Sequence, residues 1–117
     1  MKIKDVDKVC IVDIAGKAIS KQDLIDLKKL FEQKAFKKRI GINLKNILEI
    51  DNDFLEFLEE SGKRQKLSIY NVNNDVYLML FVLRYEEYVD IYLNEDDFFS
   101  DKNCIVYRRL KLLPKTA

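Results

Sequence analysis

Short runs of apolar, β-branched residues alternate along the chain with longer segments whose apolar residues recur every three or four positions. The short runs are residues 9–14, 39–44, 67–72 and 91–93. Runs this apolar are typical of strands that are buried on both faces. Residues 3–6 precede the first run, and we expect them to form an edge strand joined to it by a turn.

The segments between these runs carry the signals of amphipathic helices. Ser20, with Asp23 three positions later, approximates a capping box and predicts a helix over residues 21–36. The stretch 51–53 is rich in residues that cap helices, and Gly62 is placed to end that second helix as its C′ residue. A third helix is predicted over residues 75–88. Strands that alternate with helices in this way indicate an α/β fold with a mainly parallel sheet.

Length and composition limit the function classes. The chain has 117 residues, which corresponds to one domain, and its 48% hydrophobic and 35% charged residues are typical of a globular protein. The formal net charge is +1, so we do not expect nucleic acid to be a partner. The one basic cluster is predicted to be a solvated helix end; it consists of Lys34, Lys37, Lys38 and Arg39.

The chemistry available to the chain is also limited. There is no histidine, and the three glycines are too far apart to form a phosphate-binding loop. Cys10 and Cys104 fit neither a metal spacing nor a disulfide framework. We therefore expect no catalytic residues, no metal and no cofactor, and we predict that the protein is not an enzyme.

Two features bear on localisation. The longest apolar run, residues 76–83, is far shorter than a membrane helix. The N-terminal sequence lacks the apolar region of a signal peptide. We expect a cytoplasmic protein that does not insert into a membrane.

Several boundary motifs resemble those of STAS domains, the family named for sulfate transporters and anti-sigma factor antagonists. Residues 12–20 (VDIAGKAIS) are similar to the opening strand and turn, residues 40–51 (IGINLKNILEID) to the strand that leads to the signature acid, and residues 66–72 to the next strand. The resemblance covers about residues 3–98. It implies a mixed, mainly parallel sheet of four or five strands with helices mainly on one face. Residues 99–117 would be an extension, with a further strand predicted near residues 104–107.

The resemblance also implies a partner-docking surface at the start of the second helix. In anti-sigma factor antagonists that helix begins Asp-Ser-Ser-Gly, and its first serine is phosphorylated to switch the complex off. The chain has Asp51, Asn52, Asp53 and Phe54 at these positions. Asn52 has no hydroxyl group, so the usual switch is lost. Asp53 carries one permanent charge, whereas a phosphate brings about two.

The family's usual aspartate in the preceding strand is replaced by Asn43. Gly16 and Lys17 of the first motif complete the predicted partner-binding set. Helix capping alone also explains the residue types at 51–53, and that interpretation stays open.

The third predicted helix has two apolar faces. We expect Val76, Met79, Leu80 and Leu83 to face the core. A neighbouring face carries an aromatic stripe of Tyr77, Phe81, Tyr85 and Tyr88. Either the C-terminal extension covers this stripe, or it is exposed to a partner or to a second copy of the chain in a homodimer.

Three functions remain open. The first is a binding module in a bacterial-style partner-switching pathway, whose protein partner would be an anti-sigma-factor-like kinase. The second is a STAS subunit that regulates the ATPase of a lipid-transport complex. The third is a small nucleotide-binding domain, for which the sequence offers no catalytic constellation.

Overall fold

The computed structural model of the chain describes residues 1–34 and 39–105. Five strands and four helices follow one another in the order β1 (Lys2–Val6), β2 (Val9–Asp13), α1 (Lys21–Lys34), β3 (Arg39–Asn43), α2 (Asn52–Arg64), β4 (Leu67–Tyr70), α3 (Asn74–Val82), β5 (Asp90–Tyr92) and α4 (Glu95–Ser100). A single 3₁₀ turn, Tyr85–Glu87, lies between α3 and β5. The predicted alternation of strands and helices is therefore confirmed.

The strands form one sheet in the order β1-β2-β3-β4-β5. β1 pairs antiparallel with β2, and the other three pairs are parallel. This is the predicted mixed, mainly parallel sheet. Since β2, β3, β4 and β5 run in the same direction, the loops that follow them lie at the same edge, which we call the carboxyl edge.

Side chains of each strand alternate between the two faces of the sheet. The first face is covered by α1, α2 and α3; its core includes Val12, Ile42, Ile69 and Ile91. The opposite face carries a smaller cluster made of Ile11, Tyr70, Tyr92 and Phe98. In the described residues, three long helices thus lie on one face and the short α4 lies on the other, as the predicted fold requires.

Gly41 in the middle of β3 is explained by the packing of α4. A Cβ atom at Gly41 would overlap the ring of Phe98. That ring is stacked on Tyr70, with the ring centroids 4.8 Å apart and the planes within 7°. A glycine in a strand interior is unfavourable by itself, so its role here is to leave room for Phe98.

The predicted role of Gly62 as a helix-ending residue is wrong. α2 continues to Arg64, and Gln65 is its C-cap. A Cβ atom at Gly62 would overlap the backbone carbonyl of Tyr88. The glycine therefore permits a close approach between α2 and the chain before β5, and it does not supply a left-handed cap.

The third helix is shorter than predicted. α3 ends at Val82, and Arg84 has a left-handed backbone conformation with φ of 60° that leads into the 3₁₀ turn. Val76 and Leu80 are buried as expected, but Leu83 is 49% exposed. The prediction that Leu83 faces the core is wrong because the helical geometry ends before it.

Arg39 is not part of a solvated helix end. It is the first residue of β3, and its guanidinium lies 4.6 Å from the centroid of the Phe98 ring. It also donates a hydrogen bond of 3.0 Å to the Phe98 carbonyl and lies 3.6 Å from a carboxylate oxygen of Asp101. Arg39 therefore connects β3 to α4 and to the residue that follows it.

The other residues of that basic cluster, and most of the C-terminal tail, lie outside the described residues. The side chain of Lys34 and residues 35–38 are not described, nor are residues 106–117. Most of the strand predicted near residues 104–107 falls in this part; Cys104 itself packs against the cluster around Phe98. Within residues 1–34 and 39–105, no helix has both the length and the apolar character needed to cross a bilayer.

Replacing Gly41 should test the packing of α4 on the sheet. We expect Gly41→Ala to lower the free energy of unfolding by about 1–3 kcal/mol, because the new methyl group must displace Phe98. The measurement is urea unfolding followed by circular dichroism. Gly16→Ala, in an exposed loop, is the control and should cost less. A Gly41→Ala protein as stable as the wild type would contradict this account of the packing.

Candidate functional site

The first turn of α2 lies open at the carboxyl edge of the sheet. Asp51 is the N-cap, and its carboxylate accepts a hydrogen bond of 3.0 Å from the backbone N–H of Phe54. Asn52 and Asp53 are exposed. Their side chains make no hydrogen bond or ion pair in the described part of the chain. The capping interpretation thus accounts for Asp51 and leaves Asn52 and Asp53 available to a partner.

Phe54 does not belong to this surface. Its side chain is fully buried, and its ring stacks on Phe57 with the centroids 6.0 Å apart. Phe57 in turn meets Phe31 of α1 edge-on at 5.2 Å. The prediction that Phe54 contacts a partner is therefore wrong, since the ring holds α2 to the core.

Gly16 and Lys17 are exposed, and a hydrogen bond connects their loop to the one before α2. The carbonyl of Lys17 accepts a bond of 2.8 Å from the N–H of Leu48. The amide of Asn73, the N-cap of α3, donates a bond of 2.8 Å to the carbonyl of Ile47. The loop between β3 and α2 is thus fixed from both sides, beside the loop of Gly16 and Lys17.

Leu48 is a surface residue that no sequence motif indicated. It is 59% exposed in the loop that precedes α2, while its neighbour Ile47 is buried. An exposed leucine beside the predicted partner-binding residues adds an apolar contact to a polar surface. The signal in the sequence was an apolar pair within a connection too short to be a helix or a strand.

Polar side chains connect three strand ends beneath these loops. Asn43 donates a hydrogen bond of 2.8 Å from its amide to the carboxylate of Asp13. Its amide oxygen accepts bonds from the side chain of Asn71 at 3.1 Å and from the backbone of Lys45 at 3.0 Å. An amide can donate and accept at once, whereas an ionised carboxylate only accepts. Asparagine at position 43 therefore suits a site beside Asp13.

A groove of about 430 Å³ separates α2 from the chain after α3. It is lined by Asn52, Leu55, Glu56, Glu59, Leu83, Tyr85 and Tyr88. Asn52 belongs both to the groove and to the exposed first turn of α2. The groove thus joins part of the predicted partner-binding set to part of the predicted aromatic stripe.

The predicted aromatic stripe does not lie on one helix face. All four rings are half-buried, and the left-handed residue Arg84 divides them into two pairs. Tyr77 and Phe81 pack with their ring centroids 6.1 Å apart, and Tyr85 and Tyr88 with theirs 5.7 Å apart. Only the second pair lines the groove. The alternative that the C-terminal extension covers the stripe falls on residues 106–117, which are not described.

Carboxylates dominate the electrostatics of the groove. Burial raises the pKa of Tyr85, and the nearby charges of Glu59 and Glu56 raise it further. The pKa of Tyr88 is also raised, mainly by its hydrogen bond to Glu59. Lys63 lies 4.0 Å from Glu59 and 5.5 Å from the centroid of the Tyr88 ring. Glu59 therefore has a cationic partner.

The described residues form no cluster suited to metal binding, and their two cysteines lie apart. No group of three or more acidic or cysteine side chains there is placed to hold a metal ion. Cys10 is buried on the first face of the sheet, and Cys104 packs against the opposite face. The two thiols are thus separated by the sheet itself.

Comparison with solved structures identifies the fold. An NMR structure of the protein TM1081 is 19% identical to the chain with a TM-score of 0.70, and the match covers 84% of each chain. A crystal structure of TM1081 from Thermotoga maritima, described as a proposed anti-sigma factor antagonist, is 21% identical with a TM-score of 0.71. That match covers 86% of this chain and 92% of TM1081. No family model and no curated protein sequence matches the chain. The chain thus has a STAS-like α/β fold.

The contact between Asn43 and Asp13 predicts a pH-dependent stability defect. We expect Asn43→Asp to lower the free energy of unfolding by about 1–3 kcal/mol at neutral pH, because two carboxylates replace a donor and an acceptor. The defect should shrink as the pH falls towards about 4, where a proton can restore the hydrogen bond. Urea unfolding of both proteins at the two pH values measures it. A loss independent of pH would contradict the proposed repulsion.

Proposed function

We propose that the chain is a single, non-catalytic, cytoplasmic STAS-type domain that binds another protein through the surface at the start of α2. This surface comprises Asn52, Asp53, Gly16, Lys17 and Leu48. The observation that carries the proposal is the contrast between the two sides of α2. The side of α2 that carries Phe54 is buried against the core, while the side chains of Asn52 and Asp53 are exposed and form no hydrogen bond or ion pair within the described residues.

The chemistry of this surface favours a partner that binds without a phosphorylation step. Asn52 has no hydroxyl group that a kinase could modify. Asp53 places a permanent negative charge in the first turn of α2, where the helix dipole favours it. The role would be that of an anti-sigma factor antagonist or scaffold in partner switching, with control exerted elsewhere than at Asn52.

The missing hydroxyl group at Asn52 also supports a second candidate. A STAS subunit of a lipid-transport complex would hold and regulate its ATPase without being phosphorylated itself. The same surface would then contact the ATPase subunit. The identity of the captured partner separates the two candidates, because one is a kinase-type anti-sigma factor and the other a transport ATPase.

Nucleotide binding has weaker support. Helix N-termini bind phosphate when their backbone N–H groups are open to an anion. Here acidic residues occupy the first turns of α2, α3 and α4, at Asp53, Asp75 and Glu95 among others. Their charges would repel a phosphate group at these ends.

A charge reversal at Asp53 should test the docking surface. We expect Asp53→Lys to recover at least about tenfold less of the partner that the wild-type protein captures from a native lysate, since a central contact contributes about 1.4 kcal/mol or more. Asp75→Lys is the matched control, because Asp75 is also exposed and is the second residue of its helix, as Asp53 is of α2.

Thermal unfolding of both variants checks that each still folds. The control should recover as much partner as the wild type. Equal recovery by all three proteins would show that the first turn of α2 is not the docking surface.

A further inference from the structure

We propose that the groove between α2 and the 3₁₀ turn binds an arginine or lysine side chain of the protein partner, held between Glu56 and the ring of Tyr85. This inference rests on the proposed function, and it names the chemistry by which the partner would be recognised. It extends the docking surface from the first turn of α2 along the side of that helix.

The charge pattern of α2 gives the first argument. Five acidic residues lie between positions 51 and 60, and the two basic residues of α2, Lys63 and Arg64, come only in its last turn. Asp51 and Asp53 are favoured by the helix dipole, but the three glutamates further along are not. Like charges three or four positions apart destabilise a helix. An acidic row of this kind suits a helix whose charges are neutralised by another molecule.

The three glutamates differ in their surroundings. Glu59 pairs with Lys63 and accepts the hydrogen bond of Tyr88. Glu60 lies on the other side of the helix, towards α1. Glu56 lines the groove, is exposed, and has no ion-pair partner in the described part of the chain. Glu56 is therefore the carboxylate in the groove that a cation from outside can reach.

The chain already contains a version of the proposed contact. Lys63 places its ammonium group near both a glutamate and a tyrosine ring, at 4.0 Å from Glu59 and 5.5 Å from the centroid of Tyr88. Glu56 and Tyr85 repeat this combination in the same groove, where Glu56 is near enough to help raise the pKa of the Tyr85 phenol. A cation near an aromatic face and a carboxylate is attracted by both.

The remaining walls of the groove favour a long basic side chain over a small ion. Leu55 and the half-exposed Leu83 form apolar walls. Arginine and lysine pack their aliphatic stems on such surfaces while their charged heads stay near water and carboxylates. An acidic side chain from a partner would meet repulsion from Glu56 and Glu59. Charge complementarity therefore specifies a basic segment with an apolar side.

The test uses a defined probe. A short synthetic amphipathic peptide of leucine and arginine is titrated into the full chain, with NMR of the backbone amides as the readout. We expect the amides of Glu56, Leu83 and Tyr85 to shift. The same peptide with glutamate in place of arginine should produce no shifts at these positions.

Charge reversals on α2 provide the matched pair of variants. We expect Glu56→Lys to weaken peptide binding about fivefold, at the upper end of what one exposed ion pair contributes. Glu60→Lys makes the same charge change on the same helix, but beside the groove that faces α1. It should weaken binding by less than about twofold.

Three results would overturn the proposal. Equal weakening by the two variants would indicate general electrostatic attraction. Peptide-induced shifts confined to another surface would exclude the groove. Shifts of the groove amides that depend on protein concentration, with no peptide present, would indicate a second copy of the chain as the occupant.

Capture of the native partner by the variants distinguishes failure of the groove proposal from failure of the proposed function. If Asp53→Lys abolishes capture while Glu56→Lys leaves it unchanged, the groove proposal fails and the proposed function stands. If neither variant affects capture, both fail. Loss of capture in both variants, with Glu60→Lys unaffected, supports both.

Discussion

The burial of one side of α2 against the sheet is the constraint on which the rest of the structure depends. Phe54, Leu55, Phe57 and Leu58 are all buried, and their packing fixes the rotation of the helix about its axis. Because that side packs against the core, Asn52, Asp53 and the glutamates of α2 must lie at the surface or along the groove. The proposed binding surface is therefore a consequence of core packing, because the same four residues decide which side of α2 is exposed.

The carboxyl edge of the sheet adds a second constraint, this time through polar contacts. The hydrogen bonds among Asp13, Asn43 and Asn71 hold three strand ends together, and the loops above them bond to one another through Lys17 and Leu48. These loops carry the residues on either side of the first turn of α2. A preformed surface of this kind loses little conformational entropy when a partner binds.

Much of the fold could be predicted from the sequence, since strand runs and helical spacing report burial directly. Two of the misses share a cause, because each depends on a contact distant in sequence. Gly62 resembles a helix-ending residue, but a glycine is needed there because a Cβ atom would overlap the backbone of Tyr88. Arg39 resembles part of a basic helix end until Phe98 and Asp101 are brought beside it.

At the site, the exposure of Asn52 and Asp53 follows from their position before an apolar stripe. The burial of Phe54 follows from that stripe too, but the resemblance to anti-sigma factor antagonists placed Phe54 at the partner-binding surface. The groove was not predictable, because it depends on the left-handed turn at Arg84.

Site-specific photo-crosslinking tests the account most directly, because it reports which surface of the folded protein a partner touches. A photoreactive phenylalanine analogue would replace Asn52 in one protein and Phe99 in another. Phe99 is partly exposed on α4, on the opposite face of the sheet. Irradiation in the native cell should give a covalent adduct of one defined mass from position 52 and none from position 99. An adduct from position 99 alone, or none from position 52, would contradict the claim that the start of α2 is where this protein meets its partner.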